Sequence, residues 1–220
     1  MKLLRWLLDL IYPPRCIFCG KLLQEDESDL CRKCRVSLPE VEAPLRRGEF
    51  YDCCWSVYYY EDSVAESVKR FKFRGMKQYA EAYGRLLAMY LLRARVSFDL
   101  LTWVPSSDKR KRSRGYDQTF LIAQSVAREL GVSCDRVLVK TVDNISQSKI
   151  SDSAGRRANV LGVFDCCDEG AVKGKRVLLI DDVITTGATL SECARVLMTA
   201  GAASVECGTL AATKEKVTKQ

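Results

Sequence analysis

Val177-Leu178-Leu179-Ile180-Asp181-Asp182-Val183-Ile184-Thr185-Thr186-Gly187-Ala188-Thr189 decides the fold. Val177 to Ile180 are consecutive aliphatic residues, the pattern of a strand covered on both faces inside a parallel sheet. Asp181 and Asp182 follow at the strand's C-terminal end, where open α/β sheets place their ligands. Packing alone does not account for two charges there, because carboxylates are rarely buried unless they are paired. Side by side, they can accept hydrogen bonds from the vicinal hydroxyls of a ribose. Thr185, Thr186, Gly187, Ala188 and Thr189 then lead into a helix that Leu190, Ala194, Val196, Leu197 and Ala200 continue. Backbone N–H groups at a helix N-terminus, with threonine hydroxyls, make a pocket for a phosphate dianion. The lysine of a Walker loop is missing, so a monophosphate is the expected ligand group.

These residues resemble the phosphoribosyl pyrophosphate (PRPP) signature of type I phosphoribosyltransferases, in its aliphatic-strand, Asp-Asp, Thr-Thr-Gly-Ala-Thr form.

Near the N-terminus, Cys16-x-x-Cys19 and Cys31-x-x-Cys34 form two knuckles of identical spacing. Thiolates at i and i+3 of a tight turn can point at one ion, and two such turns complete a tetrahedral four-sulfur site. The chain has no histidine, which excludes a mixed Cys/His site. Structural zinc is expected, with an iron–sulfur cluster as the alternative that four thiolates also suit. The remaining cysteines, Cys53, Cys54, Cys134, Cys166, Cys167, Cys193 and Cys207, form no second knuckle, and most fall in apolar stretches where a thiol behaves as a small hydrophobe. Zinc-type spacing and an odd total of 11 cysteines point to a reducing cytoplasm without structural disulfides.

At 220 residues and 47% hydrophobic content the chain can bury a core, and no apolar run approaches membrane-spanning length. Arg5 and Asp9 interrupt the apolar opening, and Pro13-Pro14 leads straight into the first knuckle, so a signal peptide is not expected. Leu4, Leu7, Leu8 and Ile11 share one helical face. Docking of that face on the protein's own domain is preferred to docking on a partner or on the inner face of a membrane.

The division expected is an N-terminal helix and four-cysteine module over 1–48, followed by an α/β domain over 49–220. Strands are expected at 55–60, 98–104, 137–142, 159–164 and 204–211, with helices at 62–73, 78–95 and 118–130. Strands alternating with helices predict a mainly parallel sheet with helices on both faces.

After Val104 comes a loop, Pro105-Ser106-Ser107-Asp108-Lys109-Arg110-Lys111-Arg112-Ser113-Arg114-Gly115-Tyr116-Asp117-Gln118. An isolated basic run is ordinarily a solvated face. This one lies just past a strand end, where Lys109, Arg110, Arg112 and Arg114 can hold pyrophosphate or track a nucleic-acid backbone. A second polar segment, Asp143 to Arg157, is long enough to be a lid or binding loop, with disorder as the competing explanation.

Taken together, the four-cysteine module, Val104-Pro105, Arg114-Gly115-Tyr116-Asp117-Gln118, Gln147, Arg157-x-Asn159-Val160 with Phe164, and the PRPP signature resemble the ComF family of competence-associated proteins over almost the whole chain. The resemblance implies a zinc ribbon fused to a type I phosphoribosyltransferase-like domain that handles incoming single-stranded DNA. It also implies PRPP with Mg²⁺ as ligand: Asp181 and Asp182 on the ribose hydroxyls, Thr185 to Thr189 on the 5-phosphate, and Ser106, Ser107 and Lys109 facing pyrophosphate. Ser107 stands where relatives often carry histidine, Asp117 replaces the usual asparagine, and Lys140 lies where arginine is common.

Two functions remain open at this point. One is a PRPP- and single-stranded-DNA-binding accessory protein, with a helicase or DNA-uptake protein as a further partner, supported by the full-length resemblance and a net charge of +7. The other is a phosphoribosyltransferase that displaces pyrophosphate toward an unidentified base or amine, supported by the intact signature.

Overall fold

The computed structural model describes residues 13–45, 48–142 and 160–214. The apolar face of residues 4–11, the polar segment 143–157 with Gln147, and Asn159 lie outside the described residues.

In chain order, α1 (Arg32–Ser37) belongs to the cysteine module, then β1 (Cys54–Tyr59), α2 (Asp62–Phe73), α3 (Tyr79–Arg93) and β2 (Leu100–Trp103) follow. Next come α4 (Asp108–Arg114), α5 (Gln118–Leu130), β3 (Leu138–Lys140), β4 (Phe164–Cys166) and α6 (Glu169–Val172). The chain closes with β5 (Arg176–Ile184), α7 (Ala188–Thr199) and β6 (Ser204–Ala212). The main sheet has the order β1-β6-β5-β2 and every pairing in it is parallel. β3 and β4 form a separate antiparallel pair.

β5 is an inner strand, and its aliphatic run divides by alternation. Leu178 and Ile180 pack with α3 and α5 on one face, while Val177 and Leu179 pack with α7 and the β3–β4 pair on the other. All four are buried to within 1%, each contributing about 1.5–3 kcal/mol of burial. α3 and α5 approach closely at Gly84, where a Cβ would lie 2.2 Å from Ser125 Cβ, so only glycine fits.

The cysteine module shares this core. Cys16, Ile17 and Phe18 pack in one cluster with Tyr58, Phe71 and Tyr83. Ser67 Oγ donates to Ile17 O, and Arg70 donates to Ile17 O and Phe18 O at 3.0 and 2.6 Å. The chain leaving the module then bonds along β1, with Val41 N donating to Val57 O at 3.0 Å and Tyr59 N to Pro39 O at 2.7 Å. That segment covers what would be an open sheet edge.

Several expectations are corrected. The segment after Val104 is not all loop: Asp108–Arg114 is helical, capped by Ser107, whose Oγ accepts from Arg110 N, and ended by Gly115. The strand expected over 159–164 begins only at Phe164, after a turn at 160–162. The strand expected over 137–142 keeps three residues and runs antiparallel. Among the described residues no helix is long and apolar enough to cross a membrane.

Candidate functional site

β2 pairs with β5 only as far as Trp103 opposite Ile180. Beyond that register β5 continues through Asp181 to Ile184 with β6 alone beside it, so a crevice opens at the C-terminal end of the sheet. Asp181, Val183, Ile184, Thr185, Thr186, Gly187, Ala188, Thr189 and Leu190 line a pocket there. Gly187 sits before the first residue of α7 at φ 76°, a left-handed conformation that lets the chain turn back over the strand end. The N-terminus of the 12-residue α7 therefore faces the pocket, with Ala188 N donating to Thr186 Oγ1 at 3.4 Å.

The two carboxylates leave opposite faces of β5, as alternation requires. Asp181 lines the pocket. Burial, and then the Asp182 charge beside it, push its carboxyl up to about 7. Its Oδ1 accepts from Asp182 N at 2.8 Å. Asp182 turns toward α2, where Lys72 Nζ donates to its Oδ1 at 2.8 Å. Lys72 is a site residue that no sequence motif marks.

The basic run divides along the faces of α4. Arg110 and Arg114, four residues apart, are half-buried, and their charges reach the acidic strand end: Arg110 acts on Asp181 and Asp182 acts on Arg114. Burial holds the Arg114 guanidinium below its ordinary value, with Asp182 opposing that shift. Lys109 and Arg112 face solvent. Lys111 lies 3.5 Å from Asp108 and 3.8 Å from Asp117. Asp117 acts structurally, capping α5 through Phe120 N at 3.4 Å and accepting from Ser106 N at 3.3 Å. Ser107 is buried as the cap of α4. The structure thus gathers Asp181, Thr185–Thr189, Arg110 and Arg114 around the strand end and leaves Lys109 and Arg112 outside it.

In the cysteine module, the sulfurs of Cys16, Cys19, Cys31 and Cys34 all lie within 4.8 Å of one another. Zn–S bonds of about 2.3 Å in a tetrahedron put sulfurs about 3.8 Å apart, and Cys19 Sγ and Cys31 Sγ are separated by 3.6 Å. The donor set fits zinc: three of the four residues are buried, and a closed structural site needs no open coordination position. It is the one four-cysteine group among the described residues.

A family model described as phosphoribosyl transferase domain matches residues 117–220, and one described as double zinc ribbon domain matches residues 7–45. The fold and the site thus define a zinc-ribbon protein with a phosphoribosyltransferase-type domain. The chain is 31% identical over 199 residues to competence protein ComFC of Bacillus subtilis, covering 89% of this chain and 76% of that protein. It is 29% identical to DNA utilization protein YhgH of Salmonella typhimurium, covering 87% of each, and 27% identical to competence protein F of Haemophilus influenzae, covering 90% of this chain and 84% of that one. The chain belongs to the ComF family.

Proposed function

We propose that this protein is a PRPP-binding accessory factor of DNA utilisation or competence that handles single-stranded DNA. The observation that carries the reading is the signature pocket: α7's N-terminus and Thr185–Thr189 beneath Asp181, at the open end of a parallel sheet. In this reading the N–H groups around Gly187–Thr189 take the 5-phosphate. Asp181 takes a ribose hydroxyl, and Arg110 and Arg114 offset pyrophosphate charge. Mg²⁺ bound with PRPP would supply charge neutralisation, and Asp181, the carboxylate that lines the pocket, would be its hard oxygen donor from this strand end.

The names of the relatives, competence protein and DNA utilization protein, support the process assigned. The net charge of +7 and the solvent-facing Lys109 and Arg112 support a polyanion as partner. The division into a ribbon module over 1–48 and a PRPP-binding domain over 49–220, a cytoplasmic location with peripheral membrane contact, and a helicase or uptake protein bound through the ribbon belong to the same proposal.

Calorimetric titration of PRPP with Mg²⁺ tests it. Wild type is expected to bind, and an Asp181→Asn/Asp182→Asn variant with a native melting profile is expected not to. Absence of binding by folded wild type overturns the PRPP assignment. Pyrophosphate release on adding a base or amine replaces the accessory role with a transferase.

A further inference from the structure

We propose that Phe73 and Arg114 form a stacking platform for a base of single-stranded nucleic acid, set beside the acidic end of β5. The platform rests on the single-strand reading above and gives it the residues that would hold a base.

Phe73 is the last residue of α2 and is 67% exposed. Residues before it on the same helix are engaged elsewhere: Arg70 bonds to the zinc module, Phe71 is fully buried, and Lys72 pairs with Asp182. An exposed phenylalanine alone decides nothing, because scattered apolar side chains are normal on a surface. The cation beside it and the rigidity of its mounting are what distinguish this one. Arg114 Cζ stands 5.4 Å from the Phe73 ring centroid, within the range of a cation–π contact.

Neither side chain is mounted on a loose segment. Arg114 Nη1 donates to Gln118 Oε1, and Gln118 Nε2 donates in turn to Phe71 O at 2.9 Å. Tyr116 OH donates to the same carbonyl at 2.7 Å. The last turn of α2, the last residue of α4 and the first residue of α5 are therefore bound into one framework. Arg114 lies over one face of the ring, so a base would stack on the opposite face, on a backbone mounting already held before the ligand arrives.

The surroundings fit a strand rather than a lone base. Arg74, Lys109 and Arg112 are exposed and have no ion-pair partner among the described residues, so they remain available to phosphates. A duplex offers no free base face at an internal position, whereas a single strand does, which favours the single strand.

The test is fluorescence anisotropy of a labelled oligothymidylate with the zinc-loaded full chain at low salt. Wild type, Phe73→Ala and Phe73→Trp are compared, each checked by circular dichroism and zinc content. Phe73→Ala is expected to bind about tenfold more weakly, and Phe73→Trp to return within about twofold of wild type. On an oligonucleotide of abasic residues, wild type and Phe73→Ala are expected to bind alike, because only phosphate contacts remain. Equal binding of oligothymidylate by wild type and Phe73→Ala overturns the platform while leaving the single-strand reading in place. Failure of wild type to bind any strand overturns both. Displacement of the oligonucleotide by thymidine monophosphate at a similar concentration overturns the assignment to a strand and gives the platform to free nucleotides.

Discussion

Lys72 Nζ lies 2.8 Å from Asp182 Oδ1, an ion pair that joins the end of α2 to the end of β5 with side chains only 23% and 13% exposed. Lys72 also lowers the proton affinity of Asp181, the second carboxylate of the strand end. One cation therefore serves both members of the acidic pair. Breaking a fully buried pair by removing one partner costs about 3–5 kcal/mol, and residual solvent contact here reduces that to roughly 1–3 kcal/mol. Lys72→Met is expected to lose that much stability in urea unfolding at pH 8. The loss is expected to shrink at pH 5, where Asp181, its carboxyl raised to about 7, is protonated and no longer adds its charge to the pair. A loss below about 0.5 kcal/mol at pH 8 would show that solvent already screens the pair.

Asp181 gives stability a pH dependence of defined sign. Its carboxyl rises from 3.8 to about 7 on folding, through burial and the Asp182 charge. Between those values the native protein holds a proton that the unfolded chain has released, so stability falls as pH rises across that window. Above about 7 the full penalty is present. Asp181→Asn removes the titration, so its stability relative to wild type is expected to increase from about pH 4 to pH 7 and then level off. Melting temperatures measured at unit intervals from pH 4 to 8.5 check this, and a pH-independent difference would place the Asp181 carboxylate in solvent.

Zinc removal is expected to act beyond the ribbon. Ile17 and Phe18 are packed against Phe71 and Tyr83, and Arg70 holds both of their carbonyls. Structural zinc contributes its binding free energy to folding, so loss of the ion should loosen α2 and, with it, the Lys72–Asp182 pair. Cys31→Ser, or treatment with a strong chelator, is expected to lower the melting temperature of a single transition and to weaken PRPP binding. Two separate transitions, with the second at the wild-type temperature, would show instead that the ribbon folds independently.

The parts of this protein that are legible in its sequence are those whose signal is local. Four consecutive aliphatic residues define β5, and two knuckles of equal spacing define the metal site. α2 begins and ends where its pattern places it, at Asp62 and Phe73. α4 is hidden because a run of five basic residues carries no apolar periodicity, although Ser107 before it and Gly115 after it are the cap residues a short helix uses. β3 and β4 are three residues each and take their direction from packing on α7, which no local pattern encodes. The separation of Asp181 and Asp182 to opposite faces follows from strand alternation once β5 is known to continue to Ile184. Lys72 is not legible: its partner lies 110 residues away, and only the crossing of α2 over the strand end brings them together.

Lys109 and Arg112 face solvent, whereas Arg110 is half-buried and acts on Asp181. The two sets should therefore answer to different anions. Each phosphate contact to a single strand contributes about 0.7 to the slope of log affinity against log salt. Lys109→Ala/Arg112→Ala is therefore expected to flatten the slope for oligothymidylate by about 1.4 while keeping PRPP affinity within about twofold. Arg110→Ala is expected to do the reverse, weakening PRPP binding by about tenfold through the loss of a charge-assisted contact and changing the salt slope little. Salt titrations of oligonucleotide binding beside PRPP calorimetry distinguish the two sets. Loss of PRPP binding by the double variant, with Arg110→Ala unaffected, would place pyrophosphate on the outer face of α4 and move the strand's path to the inner one.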